Sequence, residues 1–331
     1  LSLLADIPFS LLDLVSVPEG SDAGKTLKHT MQYARAADTL GYTRFWMAEH
    51  HNMEGVASSA TAVLIGHIAG GTENIRVGAG GIMLPNHPPL VVAEQFGTLA
   101  SLYPGRIDLG LGRAPGTDPV TARALRRDQQ AAEDFATEVS ILGKLFEPAA
   151  PGQRLQAVPG CGLEVPIWIL GSSLYSAELA AAKGLPYAFA GHFAPRMMRA
   201  AAALYRRQFR PSATLTNPHF MLGLPLVIAQ TEARAQKLMT TPQQRVLALL
   251  RGQPLWLRPP VESMAGRWSI DEEAGVNEFL SLAAMGAPEQ VQRHLEQLAE
   301  ECEVDEFIFT NDVYDPADRI EALHLLMSIR E

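Results

Sequence analysis

The chain has 331 residues, 47% of them apolar and 19% charged, and its 36 acidic against 27 basic side chains give a net charge of −9. That apolar share builds a sizeable core and excludes a disordered chain, while the acidic balance speaks against a nucleic-acid or anionic-membrane partner, both of which need a basic face. Cys161 and Cys302 lie far apart and form no C-x-x-C pair, so no zinc knuckle or disulfide framework is expected, and a reduced, cytoplasmic setting is the plain reading.

Residues 1–6 are apolar but have no basic n-region and no small-residue cleavage site, so they do not read as a signal peptide. No run of roughly 18 uncharged apolar residues occurs, so no bilayer span is expected. From there strand-like and helix-like segments alternate. A strand at 9–14 precedes a helix at 24–40 that carries Leu27, Met31, Ala34, Ala37 and Leu40 on one face and stops at Gly41. Strand 45–48 leads to helix 59–69, strand 75–81 to helix 90–102, and strand 106–111 to helical sequence over 119–146. Strand 166–170 leads to helix 173–183, strand 187–190 to helix 195–209, and strand 220–229 to helix 232–250. Helix 288–300, strand 306–310 and helix 316–330 complete the chain.

Strict alternation implies a parallel sheet with helices outside, and eight units close a (β/α)8 TIM barrel. A doubly wound sheet is the weaker alternative, because its first turn wants phosphate-binding glycines where this chain has Asp13 and Val15. The whole of 1–331 reads as one barrel domain, with its extra length in 147–165 and 251–287. Helix 288–300 directly precedes the last strand and must return the chain to the bottom of the barrel. Residues 251–285 therefore belong to a βα connection at the catalytic face, and a lid is expected there.

Barrel chemistry sits at the C-terminal ends of strands. Strand two ends in Glu49-His50-His51-Asn52. Neighbouring strand residues face opposite ways, so one histidine can face the axis, poised near neutral pH, and the tripeptide alone makes no metal site. Structural, hydrogen-bonded histidines are the alternative. Strand three carries Gly78, Gly80 and Gly81, which mark a bulge or a close backbone approach, including that of a flat aromatic ligand. Strand four ends Gly110-Leu111-Gly112-Arg113-Ala114-Pro115-Gly116. Its glycine spacing misses the dinucleotide fingerprint, whereas Arg113 at the mouth suits a phosphate or an electron-rich ring edge; a structural ion pair with Glu49 or Glu94 is the alternative. Gly171-Ser172-Ser173 opens a helix, with Ser176 in its first turn, and offers either an anion seat or ordinary capping.

Together these blocks resemble the bacterial luciferase-like flavin monooxygenases, most closely their single-chain alkanal-monooxygenase-like branch. The resemblance rests on 45–52, 78–89, 103–116, 286–291 and 305–308, and it runs nearly end to end, weakest over 118–165 and 236–284. It implies reduced FMN delivered by a separate flavin reductase, with O2 and a small apolar substrate such as an aldehyde. His50 corresponds to the family's catalytic histidine, a general acid or base. Gly80 and Gly81 correspond to the pair beneath the flavin ring, joined in the family by a non-prolyl cis peptide. Arg113, Ser173 and Ser176 match groups around the phosphate, and Glu49 and Glu94 match acids of the family core with an orienting role. Met47, Met83, Leu84 and Phe193, with the tryptophans of 251–285, are expected to line the substrate pocket. Gly112 stands where luciferases carry a reactive cysteine, so light emission is not implied, and Ala190 replaces a polar residue near the ring. No metal is expected, and a homodimer through outer helices is. A deazaflavin hydride-transfer enzyme, a non-catalytic flavin-binding protein and a metal-dependent barrel hydrolase are the competing readings.

Overall fold

Eight strands close a parallel barrel in the computed structural model, which describes residues 3–114, 118–126 and 134–330. They are β1 (Phe9–Asp13), β2 (Arg44–Met47), β3 (Arg76–Met83), β4 (Ile107–Gly112), β5 (Ile167–Gly171), β6 (Tyr187–Ala190), β7 (Phe220–Ile228) and β9 (Glu306–Thr310), with β6 meeting β7 and β9 returning to β1. A short β8 (Ala284–Gly286) pairs with the outer half of β7, Leu226–Ile228, above the closed ring. β1, β4, β7 and β9 are buried at every position, covered outside by helices and inside by the side chains that fill the barrel.

The helical layer comprises α1 (Ala23–Thr39), α2 (Thr61–Gly70), α3 (Pro89–Leu102), α4 (Pro119–Ala124), α5 (Phe135–Phe146), α6 (Leu174–Lys183), α7 (Met198–Gln208), α8 (Glu232–Leu250), α9 (Ile270–Phe279), α10 (Pro288–Cys302) and α11 (Pro316–Ser328). Local chemistry sets several starts. Asp22, Thr231 and Asp315 cap α1, α8 and α11 by accepting a first-turn N–H, and Ser269 with Glu272 forms a capping box on α9. None of these helices is long and apolar enough to cross a membrane.

One sequence expectation needs correction and another is filled in. The helical stretch at 119–146 is α4 and α5, ending at Ala124 and resuming at Phe135; residues 127–133, like 1–2, 331 and the Pro115–Gly116 end of the strand-four motif, lie outside the described residues. The 251–285 segment, expected as a lid, has secondary structure of its own. It holds α9 and leads into β8, neither of which its mixed composition announced. Its first part is stitched to the barrel top, where Leu255 N–H donates to Glu54 C=O, Leu257 N–H to Val17 C=O and Glu19 N–H to Leu257 C=O.

The main core lies between barrel and helices and includes Phe9, Phe45, Phe96, Leu109, Tyr187 and Phe307. A smaller cluster fills the barrel itself, with Leu12, Trp46, Trp168, Ala188, Met221 and Ile308 around an edge-to-face Trp46–Trp168 pair at 5.2 Å. Beneath it is a floor of paired charges. Asp108 accepts from Arg44 Nη1 at 2.7 Å, Arg76 Nη2 at 2.5 Å and Trp46 Nε1 at 3.2 Å. Glu306 accepts from Ser10 Oγ at 2.5 Å and Arg44 Nε at 3.0 Å. The indoles thus close the lower barrel, and any ligand must enter from the other end.

Candidate active site

Two chambers open at the C-terminal ends of the strands. The larger, about 1060 Å³, sits directly on the inner cluster, with Leu12, Trp46 and Ile308 as its base. Gly80, Met83, Gly112 and Ala190 form its sides, and Arg113, Ser173, Tyr175 and Ser176 its rim. The smaller, about 790 Å³, is walled by apolar groups such as Leu14, Pro225, Val246, Leu255, Phe279 and Leu280, and has His50, Arg245 and Asp312 as polar features. His192 and Phe193, just beyond β6, line both.

The glycines of β3 and β4 make the larger chamber. A Cβ on Gly80 would stand 2.7 Å from Leu12 and 3.1 Å from Trp46, so a side chain there would fill the base. Gly81 instead packs on β4, where a Cβ would meet the Gly110 carbonyl at 2.7 Å. The Gly80–Gly81 peptide is cis, as the resemblance implied, and the β3–β4 register shifts between Ala79 and Ile82. At Gly112 a Cβ would meet the Met83 thioether at 2.9 Å, so Met83 occupies the space a larger residue would claim.

The rim offers an anion seat. Arg113 is exposed, with its guanidinium 4.1 Å from the Tyr175 ring centroid, and pairs with neither Glu49 nor Glu94. Ser173 is the residue before α6, and its hydroxyl caps nothing. Ser176 is less available than the sequence suggested. It is buried, donates to Ser173 C=O at 2.7 Å and shares a 3.0 Å contact with the Tyr187 hydroxyl. What remains free there is the backbone N–H groups of the first turn.

Glu49 lines neither chamber. It is 1% exposed and anchors the loops around them, accepting from Met83 N–H, from His51 Nε2 and from His87 Nε2, each at 2.8 Å, and from Asn86 Nδ2 at 3.3 Å. Burial pushes its pKa up, but these donors outweigh it and hold the carboxyl below its usual value. Glu49, His51 and His87 bring three ligand-type atoms within 4.8 Å of one another. The hydrogen bonds already satisfy that carboxylate, which suits an orienting group.

His50 points into the smaller chamber, and its buried Nδ1 has no hydrogen-bond partner. Burial, then the charge of Arg245, pushes its pKa down to about 4. The expectation of a histidine poised near neutrality is therefore corrected, and the ring is a neutral imidazole across the physiological range. Arg245, on α8, forms a 2.7 Å ion pair with Asp312 and contacts the Ser16 hydroxyl, so the chamber's fixed charges balance.

Besides Glu49 and Gly81, three more expected site residues line neither chamber. Met47 and Leu84 are fully buried in the outer core and touch neither chamber, Met47 on the helix-facing side of β2 and Leu84 in the turn that follows β3. Glu94 is half-buried on α3 and lines neither. Trp256 and Trp268 do not line the chambers either; Leu255, Phe279 and Leu280 are what the 251–285 segment contributes. His192, Arg245 and Asp312 were missed. His192 and Asp312 follow strand ends, where the barrel rule would have found them, but nothing local marks Arg245 inside a long helix.

The chain is 46% identical over 326 residues to the luciferase-like monooxygenase of Escherichia coli (strain K12), covering 98% of this chain and 97% of that protein. The crystal structure of apo-MsnO8 superposes with a TM-score of 0.87 at 31% identity, covering 98% of each chain. Two more distant structures share the fold. One is the oxygenating constituent of 3,6-diketocamphane monooxygenase from Pseudomonas putida in complex with FMN, with TM-score 0.73, 17% identity and 97% and 96% coverage. The other is an F420-dependent secondary alcohol dehydrogenase, with TM-score 0.71, 14% identity and 98% and 99% coverage. The family model for luciferase-like monooxygenases matches residues 7–306, and the chain belongs to that family as a flavin-dependent monooxygenase.

Proposed function

We propose that this chain is the oxygenating component of a two-part system, taking reduced FMN from a separate flavin reductase and using O2 to oxidise a small, neutral, apolar molecule such as an aldehyde. The observation that carries this reading is the pair of chambers meeting at His192 and Phe193. One has a glycine floor and an anion seat, and the other is apolar and charge-balanced. In the first, Gly80 leaves room for a flat ring, while Arg113, Ser173 and the start of α6 hold a phosphate. Bound there, reduced flavin would supply the electrons that activate O2. The protein orients it, and Phe193, packed edge-on to Phe279 at 6.2 Å, screens the junction from water. His50 serves the substrate chamber as a neutral proton acceptor. Residues 251–285 cover that chamber, fixed over 251–261 by bonds from Thr241 to Arg258 C=O and Gln244 to Pro259 C=O.

FMN is favoured over a deazaflavin because Arg113 is the only cation lining the larger chamber among the described residues, and a long anionic tail would need more. A homodimer is part of the reading, since α2 and α3 expose Val63, Val91 and Leu102 on the barrel's outer wall. The free thiols Cys161 and Cys302 suit a cytoplasmic setting.

Titration of the protein with FMN, reduced FMN and the deazaflavin F420 tests the cofactor, with tightest binding expected for reduced FMN. Failure of either FMN redox state to bind ends this reading, and tighter F420 binding replaces it with hydride transfer. In a reductase-coupled assay with a medium-chain aldehyde, His50→Ala is expected to lower product formation by about a hundredfold or more. Reduced-FMN binding should stay within about twofold, and equal losses in both would undo the assignment.

A further inference from the structure

Resting on the flavin reading above, we propose that His192 is a second catalytic imidazole, the one that touches the flavin ring, while His50 acts only from the substrate side. His50 lines the smaller chamber alone, whereas His192 lines both, so of the two histidines only His192 can contact a ring in the larger chamber. Gly223 of β7 locates its Nδ1 atom. A Cβ built on Gly223 of β7 would stand 3.3 Å from His192 Nδ1 and 3.5 Å from Ile308, and both Gly223 and Ile308 line the larger chamber. The Nδ1 atom therefore lies beside the gap, about one methyl wide, that the missing side chain of Gly223 leaves next to the chamber wall.

That atom is also unsatisfied. His192 Nδ1 is buried and has no hydrogen-bond partner. A buried polar atom without a partner is rare in a folded protein and marks where a ligand group belongs. Phe193 stacks obliquely on the His192 ring with centroids 4.3 Å apart, which holds its plane. The titratable groups around it are Asp312 beyond β9 and His50 beyond β2, with Arg245 of α8 neutralising Asp312. Burial outweighs the Asp312 charge and pushes the His192 pKa down to about 4. The neutral ring keeps one nitrogen protonated and one bare, so it can donate to or accept from a ring-edge heteroatom without carrying charge into an apolar site.

The geometry separates this role from that of a wall. In His192→Asn the amide nitrogen or oxygen falls near the Nδ1 position, so Asn should keep the contact and Ala should lose it. Gly223→Ala should block the contact while leaving His192 in place. The first readout is histidine NMR of isotope-labelled protein. The His192 ring signal, identified by its loss in His192→Asn, is expected to move on adding FMN in the wild type and to stay still in Gly223→Ala. The second mixes photoreduced FMN, bound to excess protein, with oxygenated buffer and follows the return of blue absorbance. His192→Ala is expected to change that rate by about tenfold or more, with His192→Asn recovering most of the difference. A His192 signal indifferent to FMN, or a His192→Ala rate matching wild type, overturns the proposal. Equal rates for the Ala and Asn variants, both far from wild type, overturn it too, because they indicate only packing. If wild-type protein binds neither redox state of FMN, the flavin reading itself has failed. If wild type binds and the His192 signal does not respond, only the role of His192 has failed.

Discussion

At the floor of the barrel, Asp108 and Glu306 collect every nearby donor: Arg44, Arg76 and Trp46 on one, Ser10, Arg44 and His219 on the other. At the mouth, by contrast, His50 Nδ1 and His192 Nδ1 are buried with no hydrogen-bond partner. Both ends bury polar groups in a largely apolar barrel. The floor is complete without a ligand and therefore serves stability. The mouth has hydrogen-bonding capacity left over, and such capacity is what a binding site must keep in reserve.

Breaking the floor should cost most. Asp108→Ala leaves Arg44 with Glu306 as its one carboxylate and takes the buried carboxylate from Arg76, and denaturant unfolding should show a loss of about 3 kcal/mol. A loss under about 1 kcal/mol would mean the network is better solvated than its burial implies. The rim is the intermediate case. Arg113→Ala removes an exposed cation, so unfolding should hardly change. The Kd for FMN should rise by about tenfold to a hundredfold, the range for one charge-assisted contact. A floor-like loss of stability with unchanged FMN affinity would reverse the contrast.

The smallest effect sharpens the comparison through pH. His50 and His192 are pushed from 6.5 down to about 4 in the folded state by burial. Unfolding therefore takes up protons between those values, and stability should be full above about pH 6.5 and decline as pH falls toward 4. Thermal melts of the ligand-free protein should show this limb, and His50→Gln with His192→Gln should flatten it. A limb unchanged in the double variant would place its origin elsewhere, in the paired carboxylates.

Strand ends explain how much of the site was readable. Gly80 in the outer half of β3, and Arg113 and Ser173 just beyond β4 and β5, stand where barrel geometry alone points at the mouth, and they line the larger chamber. Met47 was misplaced because a strand's alternation says that two faces exist without saying which one is inside, and Leu84 because the turn after β3 folds it back into the outer core. Ser176 has the right position, yet its hydroxyl is spent on Ser173 C=O and Tyr187, a detail of rotamer and neighbour. Arg245 is invisible to any strand-end rule, since α8 reaches the mouth only by leaning over it.

The order of strands and helices, the parallel closure and the position of the extra segment are written locally, in apolar period, caps and the parity of βα units. Those features need only neighbouring residues, so one chain of letters determines them. Which face of each strand looks inward, that β8 extends β7, that Arg245 and Asp312 neutralise each other, and that two imidazoles keep a nitrogen unspent all depend on groups far apart along the chain. Burial and pairing are properties of the packed barrel, and only the tertiary structure could decide them.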